Sequence, residues 1–175
     1  MSPTKGIHFA TLSLKDALDL AVLIEEEARE RYEEFSDQME IHHTREAARF
    51  FRMMAGNEEK HRAELAARRS ERFGDEPSAV TRAMIFDVEA PDYDEARAFM
   101  SERAALRAAL RSEEKAHGFF VAALPQIKDA DVRTLFEEFR DEEIEHQNLV
   151  KREIEKAPAD PDLPDDDFGD DPVAQ

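Results

Sequence analysis

The chain has 175 residues, of which 41% are apolar and 38% charged, with 5 Gly and a formal net charge of −18. That length suits one domain with a substantial core and is short for two. The absence of Cys excludes disulfides, thiolate metal sites, a catalytic cysteine and iron–sulfur ligation, and the negative charge argues against nucleic acid or an anionic membrane as partner, since both would repel it.

The mix is rich in Ala, Glu, Arg and Leu, which favours long helices over sheet. The opening residues, "MSPTKGIHFATLSLKDAL", lack the basic end and apolar run of a signal peptide, and no apolar run reaches the ~18 residues that span a bilayer. A cytoplasmic location is therefore expected. Residues 1–12 read as a lead. Ser13 with Asp16 resembles a capping box, and a helical period follows to about Met39. A second helix is predicted from near Thr44 to Arg72, stopped by "FGDEP". Residues 73–91 form a long irregular connection. Asp92 can cap a third helix through Leu124, closed by Pro125. Asp129 or Asp131 can start a fourth that fades near Lys156. The tail, residues 157–175, holds seven Asp and no basic residue, the composition of a disordered segment.

This pattern is all-α: a four-helix bundle over residues 13–156, with a long crossover between the second and third helices. A first helix of 28 residues is roughly 42 Å long. The connection, extended at ~3.3 Å per residue, spans about 60 Å and suffices to cross it.

The apolar stripes carry an anomaly. In the second helix the stripe reads Ala47, Phe51, Met54, Glu58, His61, Leu65; in the fourth, Val132, Phe136, Phe139, Glu143, His146, Val150. In the third, Glu113 stands between Ala109 and Ala116, and in the first, Glu25 fills the one gap between Ala21 and Ala28. Glu26 and Glu27 are adjacent, but Glu25 alone holds the stripe position. The chain is an internal repeat: residues 135–150 align with 50–65, and 112–120 with 24–32, at offsets of 85 and 88. Each helix thus contributes one Glu to the core, and two add a His three residues later, on the same face. A buried carboxylate is strongly unfavourable without a compensating cation. Four carboxylates and two imidazoles suit Fe, Mn or Zn, and two divalent ions would balance the charge. Phe50, Phe51, Met53 and Met54 read as core packing, and no haem is expected.

One Glu on each of two helices and Glu-x-x-His on each of the other two resembles the ferritin-like di-iron proteins. With "EEEARERY" in the first helix and the pairs Glu58/His61 and Glu143/His146, the chain is similar to their rubrerythrin branch over about residues 12–155. The resemblance implies two Fe ions ligated by Glu25, Glu58, His61, Glu113, Glu143 and His146. Glu58 and Glu143 would bridge, Glu25 and Glu113 would be terminal, and Tyr32 would hydrogen-bond a ligand carboxylate. It also implies oxidation of Fe(II) by hydrogen peroxide or oxygen, in oxidative stress or iron handling, and a homodimer. Two departures stand out. The cysteine-built electron-transfer module of rubrerythrins proper is absent, so electrons must come from an external donor. Where peroxidase-type members place a further Glu, this chain has Ala116.

Other motifs have plainer readings. Glu114 and His117 make a third Glu-x-x-His on a half-apolar stripe and read as a flank or contact surface. His42 and His43 mark a polar helix end. The alternatives to an oxidoreductase are a ferroxidase that stores or delivers iron and a metal-independent acidic adaptor.

Overall fold

The computed structural model describes residues 7–41, 43–85, 88 and 101–159. Its helices are α1 (Leu14–Ile41), α2 (Arg45–Phe73), the single turn α3 (Arg82–Ile85), α4 (Glu102–Ala123) and α5 (Ala130–Lys156). Among the described residues there is no strand, and no helix long and apolar enough to cross a membrane.

Side chains near each end set where the helices begin and stop. The Ser13 hydroxyl accepts the Asp16 N–H at 3.1 Å and donates to the Asp16 carboxylate at 2.7 Å, starting α1 as expected. Between α1 and α2 the chain reverses tightly. Thr44 donates its N–H and its hydroxyl to the Met39 carbonyl, at 2.9 and 3.0 Å, and exposed His43 takes the left-handed conformation with φ 62°. His42 lies outside the described residues. Gly74, at φ 55°, ends α2, and its N–H bonds the Ser70 carbonyl at 2.9 Å.

The third bundle helix does not run unbroken from Asp92. Ser101 is extended, with φ −64° and ψ 158°, and its hydroxyl accepts the Ala104 N–H at 3.1 Å, so α4 starts there. Ser is tolerated inside helices, which let the periodic reading pass through it, but a Ser that satisfies an orphan N–H is a strong start signal. Asp92 itself lies outside the described residues. Pro125 falls in a 3₁₀ turn, Leu124–Gln126, that closes α4. Asp129 caps α5, accepting the N–H groups of Asp131 and Val132 at 2.9 and 3.0 Å.

The core has three layers along the bundle axis. One apolar cluster contains Leu18 and Ile24 of α1, Leu65 of α2, Phe119 and Phe120 of α4, and Phe136 and Phe139 of α5. A second contains Phe35 and Met39 of α1, Phe51 and Met54 of α2, Leu106 and Ala109 of α4, and Val150 of α5. Each helix passes from one cluster to the other through its stripe Glu, so the four acidic positions share one level between the clusters. This order also fixes direction: α1 and α5 run from the first cluster to the second, and α2 and α4 run back. The crossover must therefore return the length of the bundle, as in ferritin-like folds.

The start of that crossover is held by ion pairs over α1. Arg69 donates to Asp19 at 2.7 Å and to the carbonyls of Gly74 and Glu76, while Lys15 donates to the Pro77 carbonyl at 2.9 Å. Arg82 makes two 2.8 Å bonds to Glu30 and a 3.1 Å ion pair with Glu26. Ile85 and Val88 are then buried in the first cluster, so the segment read as irregular carries core residues. The bundle is also longer at both ends than expected. Phe9, in the lead, packs edge-on to Phe119 and Phe136 with centroids 5.7 and 6.0 Å away. Ala157 is buried in the second cluster, whereas residues 160–175 lie outside the described residues.

Candidate metal centre

The middle layer brings together all six residues that the stripes single out. Glu25, Glu58, Glu113 and Glu143 are 4, 1, 0 and 4% exposed, and His146 is 6% exposed. Glu58 stands between the imidazoles: its Oε1 is 3.5 Å from His146 Nδ1 and its Oε2 is 3.9 Å from His61 Nδ1. Glu25 Oε2 lies 3.8 Å from His61 Nδ1, and Glu113 Oε2 lies 3.4 Å from His146 Nδ1. The two rings are stacked, 5.5 Å apart and 7° from parallel. Donor atoms of Glu113, Glu143 and His146 all lie within 4.8 Å of one another, as do those of Glu58 with both histidines. Across the helix interface, Gln147 of α5 donates to the backbone carbonyl of Glu113 at 3.4 Å, fixing the register of α5 on α4 at this level.

Charge balance is what sets the layer apart. The groups beside Glu58 are the imidazoles of His61 and His146, and that beside Glu113 is the imidazole of His146. Glu58 Oε1, both Glu113 carboxylate oxygens and His61 Nδ1 are buried and make no hydrogen bond. Orphaned buried acceptors of this kind are costly. Burial, opposed by the Glu58 charge, lowers the His61 pKa, which keeps the imidazole neutral with a lone pair to offer. Metal–ligand bonds of ~2.1 Å put two donors on a shared ion roughly 3.0–3.5 Å apart, within a small side-chain rotation of the spacings seen. The residues therefore fit a pair of cations bound by oxygen and nitrogen.

Beyond these six, Tyr32 packs among apolar residues, Glu114 and His117 stay outside the donor groups, and one residue is added. Tyr32 is buried and stacked on Phe51 with centroids 6.1 Å apart, and its hydroxyl makes no hydrogen bond. Its Cα lies about 10 Å along α1 from that of Glu25, and Tyr32 belongs to the second apolar cluster. Glu114 is exposed and His117 partly buried, and neither joins a group of donor atoms among the described residues. A residue the stripes did not mark does join one: a carboxylate oxygen of Glu142 lies within 4.8 Å of donor atoms of both Glu25 and His61. Burial raises its pKa to about 7, aided by Glu138, Glu58 and Glu145 and opposed by His146. Its signal was the four-residue step to His146, which places it on the same face as that ring.

A family model described as rubrerythrin matches residues 16–154. The chain belongs to the rubrerythrin family. The chain is similar as well to the crystal structure of an uncharacterised conserved protein from Magnetospirillum magnetotacticum MS-1, 30% identical. That likeness covers 87% of this chain and 100% of the other, with a TM-score of 0.70. A comparison with functionally curated proteins gives no match. Rubrerythrins usually bind a di-iron centre, and the donor groups of this chain are of the carboxylate and imidazole type that such a centre uses.

Proposed function

We propose that this rubrerythrin-family protein is a di-iron oxidoreductase that oxidises Fe(II) with hydrogen peroxide or oxygen. The observation that carries the reading is the buried acid layer, in which Glu58 and Glu113 keep oxygens without hydrogen bonds and lie against the imidazoles of His61 and His146. Glu25, Glu58, His61, Glu113, Glu143 and His146 would hold the two ions, with Mn or Zn fitting the same donors. Iron held there would supply the two electrons that reduction of peroxide requires, with two protons taken up and two waters released.

The residues divide that task by position. Glu58, between the imidazoles, is placed to serve both ions, while Glu25 and Glu113 stand at the outer ends. Four carboxylates offset the charge of two divalent ions and still favour the higher charge that oxidation leaves. The flanking phenylalanine layers keep bulk water from the carboxylates, which strengthens their hold on cations. His61, 26% exposed at its side chain, is the donor most open to solvent and marks the side from which a small oxidant arrives. Without Cys, the chain must be re-reduced by another protein or a small reductant.

An anaerobic Fe(II) titration of metal-free protein, followed by peroxide or oxygen, tests this reading. Two ions per chain, oxidised faster with peroxide and lost in Glu58→Ala, are expected. Oxidation that stalls after one round despite added reductant would point instead to iron storage or delivery. Equal, weak binding by wild type and Glu58→Ala would favour the metal-independent adaptor and overturn the proposal.

A further inference from the structure

The two halves of the repeat are not equivalent at the metal layer. At the offset of 85 that superimposes Glu143 on Glu58 and His146 on His61, Glu142 falls on Asn57. The second half therefore carries a carboxylate where the first half has an amide. In the structure the neighbours on α5 face different partners. Glu143 groups with Glu113 and His146, whereas Glu142 groups with Glu25 and His61 of the other helix pair. The space that Glu142 faces also contains an orphaned donor: His61 Nδ1 is buried, makes no hydrogen bond and lies 3.8 Å from Glu25 Oε2.

From this geometry we propose that Glu142 is a seventh metal ligand, completing the position held by Glu25 and His61. The inference rests on the dimetal reading above and extends it. Glu142 and His61 are both partly exposed, whereas the other five donors are buried, so this ligand closes the solvent side of the centre. A fifth carboxylate also changes the charge balance. Two trivalent ions with four carboxylates carry +2, and with five carry +1, while two divalent ions go from neutral to −1. Glu142 thus favours the oxidised pair over the reduced pair.

Calorimetric titration of the full chain with Co(II), with ligand-field spectra recorded alongside, tests the assignment without relying on turnover. Glu142→Gln removes the donor charge and keeps the shape. Glu145→Gln removes one charge from the same turn of α5 at an exposed residue that joins no donor group. Wild type and Glu145→Gln are expected to bind two ions per chain alike. Glu142→Gln should keep one ion at wild-type affinity and weaken the other at least about 10-fold, with altered ligand-field bands and an intact metal-free helical spectrum. Glu142→Asp keeps the charge but shortens the arm, so a ligand role requires weakened binding here too. Wild-type affinity and spectra in Glu142→Gln, or in Glu142→Asp, would overturn the inference alone. Failure of wild type to bind two ions would overturn the dimetal reading and this inference with it.

Discussion

Glu113 is the most informative residue to remove from the metal-free protein. It is fully buried, neither of its carboxylate oxygens makes a hydrogen bond, and its Oε2 lies 3.4 Å from His146 Nδ1. A buried polar group left unsatisfied costs about 1–3 kcal/mol, and His146, which also neighbours Glu58 Oε1 at 3.5 Å, keeps that partner when Glu113 is removed. Glu113→Leu is close in volume and meets apolar Ala109 and Ala116 along its own helix. The substitution should therefore stabilise the metal-free protein by about 2 kcal/mol, a rise in Tm of roughly 4–8 °C for a chain of this size. The same change deletes a ligand, so the additional stabilisation that saturating metal gives wild type should shrink. Thermal unfolding followed by circular dichroism, in chelator and in excess Zn(II), reads both effects. A metal-free Glu113→Leu protein less stable than wild type by more than about 1 kcal/mol would refute the idea that this carboxylate is held at a cost.

A pH series checks the neighbouring carboxyl. Glu142 has its folded pKa raised from 4.5 to about 7, chiefly by burial. The protonated form is thus favoured by folding, and its contribution to metal-free stability is full below about pH 4.5 and is lost as pH rises through 7. The stability difference between wild type and Glu142→Gln should fall across that window by at most about 3 kcal/mol, reduced because the group is partly in water. His61, whose pKa burial lowers, acts in the opposite sense but is present in both proteins; a difference that stays flat from pH 4.5 to 7 would contradict the assignment. Phe51 is 0% exposed and lies 5.2 Å from Phe35 and 5.6 Å from Phe50, centroid to centroid. Phe51→Ala should cost about 3–5 kcal/mol in urea unfolding with an unchanged m-value. Gly118→Ala, inside α4 with open space around the added Cβ, should stabilise by about 1 kcal/mol, whereas Gly74→Ala, at φ 55°, should destabilise by about 1 kcal/mol despite equal room. Thermal melts of the two variants test that opposition.

The bundle and the acidic layer were legible because both depend on spacing along single helices. The step of three and four that brings Phe51 and Met54 to the core brings Glu58 and His61 with them, and Ser13 and Asp129 announced helix starts that hydrogen bonds then made. What escaped depends on contacts between elements. Ile85 and Val88 look like any apolar pair in a loop until the crossover folds onto α1, and Phe9 gains its role only from two rings more than a hundred residues away. Ser101 could sit inside a helix or start one, and only the Ala104 N–H decides. Glu142 lies at the edge of the face that carries His146 and reaches the centre because α5 faces α1 and α2 as well as α4. Tyr32 shares a stripe with Glu25 but not a level along the axis.

The division of the core into oily ends and a charged waist has a mechanical consequence. Each end contains residues from all four long helices, so each can hold the bundle closed by itself. The waist offers little cohesion until cations fill it. Substitutions at opposite ends of the metal-free protein should then act as independent perturbations whose costs add, and the waist can breathe open without melting either end. Loading the waist rivets the ends together. The same two substitutions should cease to be independent once the ions are in place.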